Sequence, residues 1–139
     1  MKIKSENERK KEFLWSYKRS KLAVSRAEEE LLEVRINKMY PSVINDGMPH
    51  GSDQSDLSGY MASVDKLEKK IMKARFKRIQ TMKQVKDRIE ALLDEEEKTV
   101  LIYRYLRCME WERISEKMHY SRRQVLYIHG RALKNLVVE

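Results

Sequence analysis

A single cysteine, Cys108, stands among 139 residues, so no internal disulfide can form. The three histidines, His50, His119 and His129, have no clustered thiols beside them, and a Cys/His zinc site of ordinary spacing is missing. The chain offers no glycine-rich phosphate loop and no histidine with paired carboxylates nearby, so neither an enzyme nor a cofactor or metal is expected. Cys108, next to Met109, reads as a buried apolar residue rather than a nucleophile. No apolar run approaches the roughly 18 residues of a membrane span. The opening Met1-Lys2-Ile3-Lys4 leads into charged sequence without a signal-peptide core, so the expected setting is cytoplasmic, associated with the nucleoid, and without membrane. With 4 glycines and 2 prolines there is little to interrupt long helices.

What the chain has in quantity is charge. Lys and Arg number 30 against 22 acids, a formal charge of +8. An excess of that size suits a polyanionic partner, or simply solubility. Charged residues at 37% and apolar ones at 41% allow a modest core and no deep pocket. The expected fold class is all-α.

Three zones follow one another. From Glu6 to Met39 there is no Gly or Pro, and Phe13, Tyr17, Val24, Ala27, Leu31 and Val34 recur in steps of three, four and seven. That pattern predicts one long helix with an apolar stripe, interrupted at Ser20 and Lys38. Packing on a neighbouring helix of the same chain accounts for the stripe, and a coiled-coil homodimer is the alternative. Tyr40 to Tyr60 holds both prolines and three of the four glycines, and is expected to be a mobile loop. Helical periodicity resumes at Met61 and runs to about Leu93. Val64, Leu67 and Ile71 mark its buried face, which Phe76, Ile79, Met82, Ile89 and Leu93 are expected to continue after a shift. Between Lys66 and Arg88 ten cations face two acids, Glu68 and Asp87. Such a row is a solvated helix face or a track along phosphates. Residues 1–93 thus read as a basic helical hairpin, and 94–139 as a separate domain.

Asp94 with Glu97 three residues on forms a capping box, and the acids of Asp94-Glu95-Glu96-Glu97 suit the positive end of a helix. Val100, Leu101, Tyr105 and Leu106 give this helix its apolar face, and its end is expected near Cys108 and Met109. A short helix follows over Trp111–Met118. Ser121 and Gln124 form a second capping box, opening a last helix from Arg122 to about Val137. Short helix, three-residue turn (His119, Tyr120, Ser121) and longer helix make the helix-turn-helix plan. Ile114, Met118, Val125 and Ile128 should interlock between the two, with Ser115 small at the crossing. The other side of the last helix carries Arg122, Arg123, Tyr127, Arg131 and Lys134, with no acid before Glu139. An acid-free helix with several long cations suits the major groove, where Arg forks onto guanine and Lys holds phosphate.

Three stretches carry a family resemblance: Val100-Leu101-Ile102-Tyr103-Arg104-Tyr105, then Glu112-Arg113-Ile114-Ser115 with Ser121-Arg122-Arg123-Gln124-Val125, then Arg131-Ala132-Leu133-Lys134-Asn135-Leu136. Together they resemble the fourth conserved region of bacterial sigma factors, which reads the upstream promoter hexamer and touches RNA polymerase. The likeness covers about a third of the chain. It implies a C-terminal sigma region-four-like helix-turn-helix bundle after the helical hairpin. By position it places Arg122, Arg123 and Tyr127 at base edges and Arg104 near the DNA backbone. The whole expected DNA-binding set is Ser121, Arg122, Arg123, Gln124, Tyr127, Arg131, Lys134, Arg104 and Arg113. Arg123 stands where an acid is common in that family and Tyr127 where glutamine is, so a different DNA sequence is implied. His119 occupies a turn position where relatives carry Gly or Asp. Gly130, within the last helix, costs up to ~1 kcal/mol against Ala, which close approach of another backbone would explain.

Nothing upstream is similar to the sigma region that melts promoters. The layout, including Asp46-Gly47-Met48-Pro49-His50-Gly51, resembles small phage-encoded proteins of Gram-positive bacteria, among them late-gene activators of the RinA and ArpU type. The function so implied is a phage or prophage transcriptional regulator that binds double-stranded DNA, with host RNA polymerase as a second partner. A small terminase-like packaging subunit and a sigma-like module that grips polymerase alone are the alternatives.

Overall fold

The computed structural model describes residues 3–39 and 53–139, and among these the chain is all helix and connecting turn. Helix α1 spans Glu6–Met39 and α2 spans Asp53–Glu90. Helix α3, Glu95–Leu101, continues into one π-helical turn over Ile102–Leu106. Two shorter helices complete the chain, α4 at Trp111–Met118 and α5 at Arg122–Asn135. None of the described helices is long and apolar enough to cross a membrane.

Two boundaries differ from those expected. Helix α2 begins at Asp53 rather than Met61, so the tail of the expected 40–60 loop is helical. Asp and Ser near a helix start suit its unpaired N–H groups and dipole, so loop-forming composition there is equally helix-opening composition. The remaining loop residues, with the Asp46–Gly51 motif, lie outside the described residues. Helix α5 stops two residues short of Val137, where Leu136 turns extended.

The chain forms two compact units. One joins the residues up to Ser20 with Arg78–Glu139, and the other is Lys21–Lys77. The first unit therefore takes in more than the expected 94–139. Its reason is a shared core: Leu14 of α1, Val85 and Ile89 of α2 and Leu92 just beyond it bury against Leu101, Tyr105, Ala132, Leu133 and Leu136. Each buried aliphatic contributes roughly 1.5–3 kcal/mol, so the terminal helices are not detachable from this core. Leu14, not Phe13, is the fully buried position, and Ser20 is buried too, its hydroxyl donating to the Tyr17 carbonyl at 2.6 Å.

In the second unit Ala27 and Leu31 of α1 pack on Leu67 and Ile71 of α2, flanked by Val34 and Val64. Ion pairs Arg75–Glu28 (3.0 Å), Lys70–Glu30 (2.9 Å) and Arg35–Glu68 (3.1 Å) fix an antiparallel register. The expected continuation of the α2 stripe through Phe76, Ile79 and Met82 is wrong. All three are exposed, as is Leu93, and the buried positions are Val85, Ile89 and Leu92.

Candidate nucleic-acid interface

The helix-turn-helix is built by α4 and α5. Val100, Ile114, Val125 and Ile128 are fully buried together, with Met118, Trp111, Tyr103 and Met109 packed around them. Four positions spaced three, eleven and fourteen residues apart can meet only if the chain reverses between Met118 and Arg122. His119 makes that reversal: at φ 59° it occupies the left-handed region, and its N–H closes onto the Glu116 carbonyl. Ser115 serves the crossing, its hydroxyl donating to the Tyr120 carbonyl while the Tyr120 N–H donates to Ser115 at 3.1 Å. Ser121 then caps α5, accepting from the Gln124 N–H at 3.1 Å. The Tyr120 hydroxyl donates to Glu96 at 2.6 Å, which ties the turn to α3 and raises the Tyr120 pKa.

Helix α3 is capped by Asp94, whose carboxylate accepts from the N–H groups of Glu96 (2.8 Å) and Glu97 (3.1 Å). Glu97 turns inward to accept from Asn135 Nδ2 at 2.6 Å and to face Arg131. It is an almost fully buried carboxylate, tolerated because both partners lie on α5.

The open side of α5 presents Arg122, Arg123, Gln124, Leu126, Tyr127, Gly130 and Lys134, all exposed. Tyr127 is 64% exposed and Leu126 40%, so an aromatic and an aliphatic group sit among the cations. No acid falls in the first turn, where helix N–H groups add positive potential to Arg122 and Arg123. Arg113 of α4 is exposed as well. Gly130 meets nothing within 4 Å of a built Cβ, so the close approach expected there does not occur within the chain.

Two members of the expected DNA-binding set are engaged elsewhere. Arg131 lies 3.3 Å from Asp94 and 3.5 Å from Glu97, with its guanidinium 5.9 Å from the centroid of the exposed Tyr127 ring. Arg104 lies between the rings of Trp15 and Trp111, at 5.2 and 4.4 Å from their centroids, and donates to the Met109 carbonyl at 3.0 Å. Its Nε is buried without a hydrogen-bond partner. The π-helical turn places it there, by closing Arg107 N–H onto the Ile102 carbonyl and rotating Arg104 inward. Periodicity written for an ordinary α-helix cannot foresee that rotation.

Sequence reasoning also missed Lys10. It is buried, and its ammonium donates to the carbonyls of Leu133 (2.7 Å) and Lys134 (3.4 Å) at the last turn of α5. A cation there satisfies carbonyls that have no helical partner and complements the negative helix end. In sequence Lys10 is one cation among many, and only its i+4 relation to Leu14 on the buried stripe marks it.

His129 is buried on the inner side of α5. Its Nε2 lies 2.7 Å from the Tyr105 hydroxyl, and its ring meets Trp111 edge-on at 4.8 Å. Burial, aided by the charges of Lys11 and Arg104, lowers its pKa to about 4. Burial also pushes the Tyr105 phenol up to about 12. Cys108 is only half-buried, at φ 54° in the turn after α3, rather than a core residue.

No family model, curated protein or solved structure matches this chain.

Proposed function

We propose that the chain is a duplex DNA-binding regulator that lays α5 in the major groove. One observation carries this reading: the face of α5 bearing Arg122, Arg123, Tyr127 and Lys134 is acid-free and open. Arg122 and Arg123 stand at the N-terminal end, where a recognition helix first meets base edges, and each can fork onto guanine O6 and N7. Lys134, about three turns on, is suited to phosphate, and Arg113 of α4 to the backbone on the flank. Arg104 and Arg131 leave the DNA-binding set and act as supports of the fold. The sigma-like spacing of the residues supports a partnership with host RNA polymerase, and the resemblance of the whole layout supports a role on phage or prophage genes.

Selection of bound duplexes from a random pool, with polymerase present and absent, tests the reading. A preferred sequence should emerge, and Arg122→Ala should weaken and relax its binding by about 1–3 kcal/mol. The reading fails if neither Arg122→Ala nor Arg123→Ala changes binding to any duplex. Selection of a sequence only with polymerase present would favour the polymerase-gripping alternative. The packaging alternative draws on a different feature, the exposed apolar stripes of the second unit.

A further inference from the structure

Among its described residues, the unit formed by Lys21–Lys77 exposes more large apolar side chains than it buries. They are not scattered. On α1 the inward positions Val24, Ala27, Leu31 and half-buried Val34 have a counterpart half a turn away: Leu22, Ser25, Glu29, Leu32 and Ile36, in steps of three and four, all exposed. On α2 the inward Val64, Leu67 and Ile71 are opposed by Met61, Asp65, Lys69, Met72 and Phe76, again all exposed. Leu32, Met72 and Phe76 are 56%, 69% and 62% exposed. A second seam at coiled-coil spacing on each helix is what a helix carries when it has two neighbours. Among the described residues of this unit each has one.

Charge decides what the second neighbour is. The outer α1 stripe carries Glu29, with Glu33 beside it and Arg26 at its edge; the outer α2 stripe carries Lys69, with Lys73 beside it and Asp65 paired to Lys69 at 3.0 Å. Set against itself, the α1 stripe brings Glu29 and Glu33 onto like charges. The α2 stripe against itself does the same with Lys69 and Lys73. Helix α1 of one copy on α2 of another is the pairing that opposes both acids to both bases, where Arg26 and Asp65 relieve a self-pairing only in part. The register already used inside the hairpin, with Glu28 by Arg75 and Arg35 by Glu68, repeated between copies, sets Glu29 level with Lys73, Glu33 with Lys69 and Leu32 with Met72. We infer that a second copy of this chain docks here head to tail, the outer face of α1 on the outer face of its neighbour's α2. The two stripes point away from each other across the hairpin, so one neighbour cannot cover both. The contact is heterologous and repeats, closing into a ring or extending.

This inference stands apart from the DNA reading, since it uses none of the same residues. Its test is complementation in sedimentation velocity, on the full chain in DNA-free buffer. Two double variants are needed, Leu32→Ser with Ile36→Ser, and Met72→Ser with Phe76→Ser. Each removes one half of the contact and, being exposed, should leave far-ultraviolet circular dichroism unchanged. The wild type is expected to grow beyond a dimer as concentration rises into the upper micromolar range. Each variant alone should be monomeric, and an equimolar mixture should give a 1:1 pair and nothing larger, because one intact contact remains. Charge-swapped partners, Glu29→Lys with Glu33→Lys and Lys69→Glu with Lys73→Glu, should likewise associate more strongly mixed than alone. A wild type that stays monomeric, as it would if an acidic protein or nucleic acid covers these faces, overturns the inference. Self-association by either serine variant alone, which marks a symmetric contact, overturns it as well, and so does a folded mixture that stays monomeric.

Discussion

The hydroxyl of Tyr105 and Nε2 of His129 meet at 2.7 Å in the interior, joining the π-helical turn after α3 to the inner side of α5. Both groups are held neutral by burial, the phenol up to about 12 and the imidazole down to about 4. Unfolded, the imidazole takes up its proton near 6.5, so the unfolded state binds more protons between that pH and 4. The associated stability is fully present above pH 6.5 and is lost as pH falls toward 4, on the order of 3 kcal/mol. Urea denaturation at pH 7 and pH 5 should show about 2 kcal/mol of this loss in the wild type. The same loss in His129→Gln would assign it to other groups.

Arg104 is a support of the fold. Arg104→Ala should lower stability by about 1–3 kcal/mol, through loss of the two Trp contacts and the bond to Met109. Duplex binding by the folded fraction should not change. A fluorescence titration well below the melting temperature checks this, and a weakened affinity there would return Arg104 to the DNA-binding set.

Glu97 and Arg131 form a pair that is costly to break from one side. Removing the carboxylate in Glu97→Ala takes the acceptor from Asn135 and one of two carboxylates from Arg131, which keeps Asp94, and should cost about 1–2 kcal/mol. Thermal denaturation reads the effect directly, and a change within ~0.5 kcal/mol, typical of an exposed site, would mean the pair has little consequence.

Lys134 differs from Arg122 in what it should do. Lys134→Ala is expected to lower affinity for all duplexes alike and to reduce the salt slope of log K by about 1. If the slope is unchanged while sequence preference shifts, Lys134 is not at a phosphate.

Gly130 and His119 are positions where the backbone could be served better. Gly130→Ala places a methyl in open space on a helix and should stabilise by about 0.5–1 kcal/mol. His119→Gly relieves a left-handed residue and should stabilise by a few tenths to about 1 kcal/mol, net of the entropy that glycine adds to the unfolded chain. Melting temperatures should rise in both, and a fall in either would show a contact absent from this structure.

Much of the fold was legible because apolar spacing and capping residues agree. Ile114, Val125 and Ile128 fall at helical steps around Ser121, and Asp94 and Ser121 both cap as their types require. The open face of α5 followed from the same spacing. What failed has physical causes. Apolar residues on α2 satisfy two stripes at once, and no periodicity says which of Ile71 and Met72 meets a partner. Arg104 and Arg131 resembled free cations because a π-helical turn and a distant carboxylate pair, which hold them, leave no local pattern. Lys10 depends on a contact 123 residues away.

The tether from Lys10 to the last turn of α5 joins residues 123 positions apart. The Leu14–Leu133 core can therefore close only after α5 has left the ribosome. A clone that begins at the second domain boundary suggested by the sequence would expose Leu101, Leu133 and Leu136 to water, and should be recovered as aggregate.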